Sequence, residues 1–158
     1  MQATSAAISL GKPVTAPVLV PVLHASTPDC VDEPFMVNGK AYSVTCVSFG
    51  APHGAVFVGD VDSVDVPSLG AALGTHARFP RGASIVFVQA LDGETLEARL
   101  WQRGESEAAS SPEAACVAAT AAIMLRKMTR NETDVIMGGD TFRVKWDRGG
   151  DTVSVRVL

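Results

Sequence analysis

A chain of 158 residues, 47% apolar and 19% charged, has the length and composition of one soluble domain with a real core. Its formal charge of −4 argues against non-specific nucleic-acid binding, and no apolar run approaches the ~18 residues of a membrane span. Three cysteines, an odd number without CxxC spacing, suit a reducing, intracellular setting better than a disulfide framework.

The opening MQATSAAISLGK is hydroxyl-rich and acid-free but lacks the arginines of a good transit peptide. Residues 1–8 are expected to be a flexible lead-in and 9–158 one domain. A soluble intracellular protein follows, with cytoplasm and an organelle such as the mitochondrion both left open. Pro17–Leu23 is apolar and β-branched, and its prolines favour an edge strand. Ala41–Phe49 alternates as a half-buried strand, and Gly54–Asp60 follows. Asp65 and Pro67 cap a short, glycine-broken helix over VPSLGAALGTHARF. Ala83–Leu91 and Thr95–Gln102 flank Asp92-Gly93, a hairpin signal.

The stretch ESEAASSPEAACVAATAAIMLRK is a loop of small polar residues running into a helix. Ser110 or Ser111 caps it, Pro112 fits its first position, and Glu113 suits the positive end of the helix dipole. From Ala114 to Leu125 no residue is charged and only Thr120 is polar, so this helix should be buried on every side. Cys116 within it, and Cys46 in its strand, read as small core residues. Three more strands, Thr133–Met137, Asp140–Trp146 and Asp151–Leu158, are separated by the turns Gly138-Gly139 and Gly149-Gly150. The fold class is α+β: a curved, mostly antiparallel sheet or open barrel wrapped around one central helix.

Residues 126–158 carry seven Arg/Lys against five Asp/Glu, the rest six against twelve. Solvated strand faces and a helix end explain this; an RNA-touching edge built from Arg126, Lys127, Arg130, Arg143, Lys145 and Arg148 is the minority reading. Asp60, Asp62 and Asp65 suggest a metal cluster, but the further oxygen ligands of a calcium loop are missing, and turn and cap roles explain them better. Phosphate-loop, dinucleotide and zinc motifs are absent.

VSFGAPHGAVFVGDVDSVDVPSLGAAL resembles the segment that diaminopimelate epimerases usually write as VSxGNPHxVxFVxD, followed by a short helix. FPRGASIVFVQALDGETLEARLWQRG is similar to that family's FPxGxNVxFVQ, hairpin and ERG. ESEAASSPEAACVAA stands in place of GETxACGTGACA, and VIMGGDTFRVKWDRGGDTVSVRV in place of the closing LPGGxLxIxW strands. The likeness runs from about Ser9 to the C-terminus and concerns the second of the family's two domains. It implies a cofactor-independent isomerase fold, in which each domain sets one cysteine at the N-terminus of its central helix and the two thiols face each other across a cleft.

The departures from that pattern carry the functional expectation. The family's cysteine falls on Ser111, whose hydroxyl is far too weakly acidic to replace a thiolate without a strong partner. The following glycine and threonine fall on Pro112, which lacks an N–H, and Glu113, which places a negative charge where a substrate carboxylate would sit. Two asparagines fall on Ala51 and Ser84, and a glutamate on Gln102. Of the family's polar binding groups in this domain, His53 and Arg103 remain. His53 reads first as a structural hydrogen-bonding histidine and second as a residual binding or activating group. Arg103 more often pairs with Glu105 or Glu107 than with a ligand.

Catalytic machinery is therefore expected to be lost, with no cofactor and no metal. The chain is expected to act as a binding or assembly component of a larger complex. A protein partner or a second copy would sit on the former inter-domain face, with an RNA-containing complex also possible. The alternative is a component of an amino-acid epimerase that needs a partner domain supplying a cysteine. A small-molecule sensor comes third, opposed by Glu113.

Overall fold

The structure, a computed structural model, describes residues 6–104, 107–149 and 151–158. Among them are ten strands: β1 Ile8–Gly11, β2 Glu33–Val37, β3 Lys40–Ser48, β4 Pro52–Phe57, β5 Ser84–Ala90, β6 Thr95–Trp101, β7 Glu107–Ala108, β8 Glu132–Met137, β9 Asp140–Asp147 and β10 Thr152–Val157. Two α-helices accompany them, α1 Val66–Gly74 and α2 Pro112–Met124. The strands form one sheet in the order β1-β10-β9-β8-β6-β5-β4-β3-β2, with β7 beside β6. Only β4/β5 and β6/β8 pair in parallel.

Period-two patterning decides which way each strand faces. Along β9, Phe142, Val144 and Trp146 are buried while Asp140, Lys145 and Asp147 are exposed. The inward residues close on α2, which packs against β3, β4, β5, β6, β8, β9 and β10. Ala114 to Ala122 are all buried, as the absence of charge in that stretch requires. Alanines and Cys116 keep the helix thin enough for strands to approach on all sides. The sheet stays open, but Val14 and Ser48 exchange backbone hydrogen bonds of 2.9 and 2.8 Å, tying the chain after β1 to β3.

A second apolar cluster covers the outer face of β5 and β6 and includes Val20, Val22, Phe35, Leu73, Phe79, Ile85, Phe87 and Trp101. Helix α1 lies here. Asp65 caps it, accepting a hydrogen bond from Ser68 N–H at 3.3 Å, and it ends at Gly74, short of the Phe79 expected from the sequence. Its glycines are docking points: a Cβ on Gly70 or Gly74 would overlap the Trp101 side chain.

Pro17–Leu23 is a turn and not a strand. Leu19 and Val20 N–H both donate to Ala16 C=O, Val22 N–H donates to Pro17 C=O, and the Val20–Pro21 peptide is cis. Prolines at 17 and 21 supply no N–H for a ladder. Val20 and Val22 point into the outer cluster while Val18 and Leu19 face solvent. The sequence reading missed β1, β2 and β7. Ile8 pairs with Val155, so the sheet takes in the last residue of the expected lead-in; residues 1–5 and Gly150 lie outside the described set.

One buried polar cluster fastens the chain ahead of β2. The Glu33 carboxylate, 0% exposed, accepts hydrogen bonds from Ser26 N–H (2.8 Å) and Oγ (3.1 Å), from Thr27 N–H (2.8 Å) and Oγ1 (2.7 Å), and from Arg78 Nη2 (3.0 Å). Arg78 also donates to the carbonyls of Leu23, His24 and Pro34 and lies 4.5 Å from the Phe35 ring centroid. Glu33 is held down at about 2: these donors outweigh burial, the largest single influence, which alone would raise it.

Candidate functional site

The positions singled out by sequence gather at one end of the sheet. Parallel pairing sets His53 on β4 opposite Ser84 on β5, and antiparallel pairing sets Ile85 opposite Trp101, so β4 and β5 begin where β6 ends. Helix α2 starts at the same end. Ser111 is its cap: the hydroxyl accepts from Ala114 N–H at 3.2 Å and the carbonyl from Ala115 N–H at 3.0 Å. Ser110, the other candidate cap, instead donates to Asp140 at 2.7 Å. Pro112 occupies the first turn without an N–H, so two of the first three N–H positions of α2 are missing or already satisfied. Glu113 sets a carboxylate in that turn.

His53 is 4% exposed, and its Nδ1–H donates to Ala51 C=O at 3.0 Å. That bond leaves Nε2 as the acceptor of the neutral ring. Burial lowers its pKa below the usual histidine value; the Ala51 carbonyl and then the Glu113 charge work in the opposite direction. Glu113 thus acts on His53 across the space between β4 and α2, so the fold does bring this histidine toward the helix N-terminus. Among the described residues no hydrogen bond joins His53 to Ser111.

Ser84 Oγ accepts from Arg103 N–H at 3.0 Å, so the residue in place of an asparagine positions the β6 end. The Arg103 side chain donates to Arg81 C=O and runs past Gly82. Its expected carboxylate partner needs correction: Glu107 is held by Arg99, at 2.7 and 2.8 Å, because β7 pairs with β6 and sets Glu107 beside Arg99 instead. Glu105 lies outside the described residues. Ala51 and Gln102 are exposed at the rim of this end.

Cys116 is fully buried, and burial, then the Glu113 charge, push its thiol up to about 12. It stays protonated at neutral pH. Asp60 caps a 3-10 turn, accepting from Asp62 N–H and Ser63 Oγ, while Asp65 caps α1. Among the described residues no three His, Cys, Asp or Glu side chains are grouped to hold a metal. Among the described residues no helix is long and apolar enough to cross a membrane.

The basic residues are largely engaged locally. Arg143 forms a two-point pair with Asp134 (2.9 and 3.1 Å), and Arg130 reaches Glu94 and Glu132. Lys145 stands opposite Glu132, Arg148 lies over the Trp146 ring, and Lys127 over Phe57. Arg126 turns out of α2 with φ of 59°. Sequence reasoning missed Asp140, which anchors the loop before α2, and Gly138, where a Cβ would overlap Ala109 C=O. The Gly138-Gly139 pair was the available signal, read only as a turn.

A sequence model of the family described as diaminopimelate epimerase matches residues 45–157. Diaminopimelate epimerase of Bacillus cereus (strain ATCC 10987 / NRS 248) is 32% identical over 151 residues, covering 95% of this chain and 52% of that protein. The same enzyme of Geobacillus sp. (strain WCH70) is 33% identical over 149 residues, covering 94% and 52%. The chain therefore spans about half the length of the curated relatives it matches. A solved structure of a probable proline racemase from Agrobacterium radiobacter K84 aligns with a TM-score of 0.52 at 14% identity, over 98% of this chain and 50% of that one, a likeness of fold. Because the family model spans most of its length, this chain belongs to the diaminopimelate epimerase family.

Proposed function

We propose that this chain is a catalytically silent diaminopimelate-epimerase-like domain that serves as a binding or assembly component of a larger complex. The observation that carries the reading is the state of the α2 N-terminus. Ser111 spends its oxygen capping the helix, Pro112 removes an N–H, and Glu113 supplies a fixed negative charge. Acid–base chemistry at a substrate α-carbon needs a base poised near neutral pH and donors for the substrate carboxylate. Buried Cys116 offers no such base, and among the described residues no hydrogen bond links Nε2 of His53 to Ser111. A protein partner, or a second copy, on this end of the sheet is favoured over RNA, because Arg143 and Arg130 already face carboxylates.

The test has two arms. Incubation with diaminopimelate in heavy water should give no α-deuterium incorporation. Isolation from the native source under mild conditions should yield the chain at fixed stoichiometry in an assembly. Deuterium incorporation by the chain alone would overturn the proposal. A second reading draws on the length comparison: a subunit of an amino-acid epimerase whose other chain supplies the thiol. It predicts exchange only when that second chain is added.

A further inference from the structure

Cys30 and Cys46 are separated in sequence but meet beneath the outer layer. Both are 0% exposed, and both belong to the apolar cluster that includes Phe35 and Ile85. Cys46 N–H donates to Cys30 C=O at 3.0 Å, which holds the two residues side by side. The β2/β3 register pairs Glu33 with Val44, so its plain continuation would set Val31 opposite Cys46. Left-handed backbone at Cys30 (φ 56°) and Asp32 (φ 50°) takes the chain out of that register, and Cys46 N–H meets Cys30 C=O rather than Val31 C=O. Asp32 N–H holds the shift by donating to Thr45 Oγ1 at 3.1 Å. Two residues joined by a direct backbone hydrogen bond have Cα atoms roughly 5–6 Å apart, within the range that disulfides span. Cys116 belongs to the other cluster, around α2, and is out of reach.

We propose that Cys30 and Cys46 form a reversible dithiol–disulfide pair that, once oxidised, pins the 24–32 segment to β3, and that the Glu33–Arg78 cluster gates its formation. Neither thiol is accessible while Ser26 and Thr27 are held by Glu33. Local opening of that segment exposes Cys30. Its thiolate attacks a small-molecule disulfide such as oxidised glutathione, forming a mixed disulfide and releasing one glutathione thiolate. The Cys46 thiolate then attacks the Cys30 sulfur and releases the second. Two protein thiols are oxidised, one glutathione disulfide is reduced, and the two protons pass to the released thiolates.

The experiment counts thiols in denaturant after the native protein has been incubated with excess oxidised glutathione at neutral pH. The three thiols of the reduced chain should fall to one, dithiothreitol should restore three, and peptide mapping should join residue 30 to residue 46. Cys30→Ser should keep both its remaining thiols. Glu33→Gln should lose thiols severalfold faster than the unaltered chain. Three persistent thiols in both the unaltered chain and Glu33→Gln, or a disulfide containing Cys116, would overturn the pair. Equal rates in those two proteins would overturn the gate.

Discussion

Replacing Glu33 with glutamine should destabilise the folded chain by about 3 kcal/mol at neutral pH and remove a component of its acid response. The Glu33 carboxyl, fully buried, titrates at about 2 in the folded state against 4.5 in the absence of its partners. At 1.36 kcal/mol per pH unit, that difference is worth about 3 kcal/mol. The folded value is depressed, so the stabilisation is complete above about pH 4.5 and fades as pH falls toward 2 and below. Glutamine keeps the shape but lacks the charge and leaves Arg78, whose side chain is 14% exposed, without its counter-ion. For a domain of this length, about 3 kcal/mol corresponds to a fall in Tm of about 6–12 °C. Urea unfolding of both proteins from pH 7 to pH 2 is the assay, and the difference between the curves is the readout. The gap should be widest at pH 7 and shrink below pH 4.5. A gap under about 1 kcal/mol at pH 7, or one unchanged down to pH 2, would refute the reasoning.

Gly74→Ala should cost about 1–3 kcal/mol and shift Trp101 fluorescence, because the new methyl overlaps the indole and the Ala83 carbonyl; an unchanged Tm would contradict the docking described for α1. Ser111→Ala should lose about 1 kcal/mol through the missing cap, measured by urea unfolding. In Ser111→Cys the thiol should titrate no lower than an ordinary cysteine, about 8.5, because Pro112 and Glu113 remain. Adding Pro112→Gly and Glu113→Thr should lower it, and no response to those two changes would weaken the account of a disabled helix terminus. Glu113→Gln should lower the NMR titration midpoint of His53 further, since the Glu113 charge favours the protonated ring; a rise would reverse the electrostatics argued for the site.

Period-two patterning and the Asp92-Gly93 and Gly138-Gly139 turns located β3–β6 and β8–β10 to within a few residues. The uncharged run after Ala114 predicted a helix buried on all sides, because such a surface has no face to offer water. Ser111, Pro112, Glu113, Ala51, Ser84 and Gln102 could be singled out from sequence because a residue's type, here a hydroxyl, an imino acid or a carboxylate, is legible without a fold. Pro17–Leu23 misled because apolar, β-branched composition carries no information about which N–H groups are available to a partner strand. Strand β2 escaped notice because Glu33 and Pro34 break its pattern. Its glutamate is buried only because Ser26, Thr27 and Arg78 converge on it.

Residue order alone determined the family, the strands β3–β6 and β8–β10 and the residue types at the α2 cap, because those depend on side-chain type and local periodicity. Only the tertiary structure decided that Glu107 pairs with Arg99 rather than Arg103, that His53 turns to Ala51 while sensing Glu113, and that Cys46 N–H meets Cys30 C=O. Each of these depends on how strands and loops distant in sequence are brought together. Such details are set by the packing of the whole sheet around α2 and leave no periodic trace in the chain.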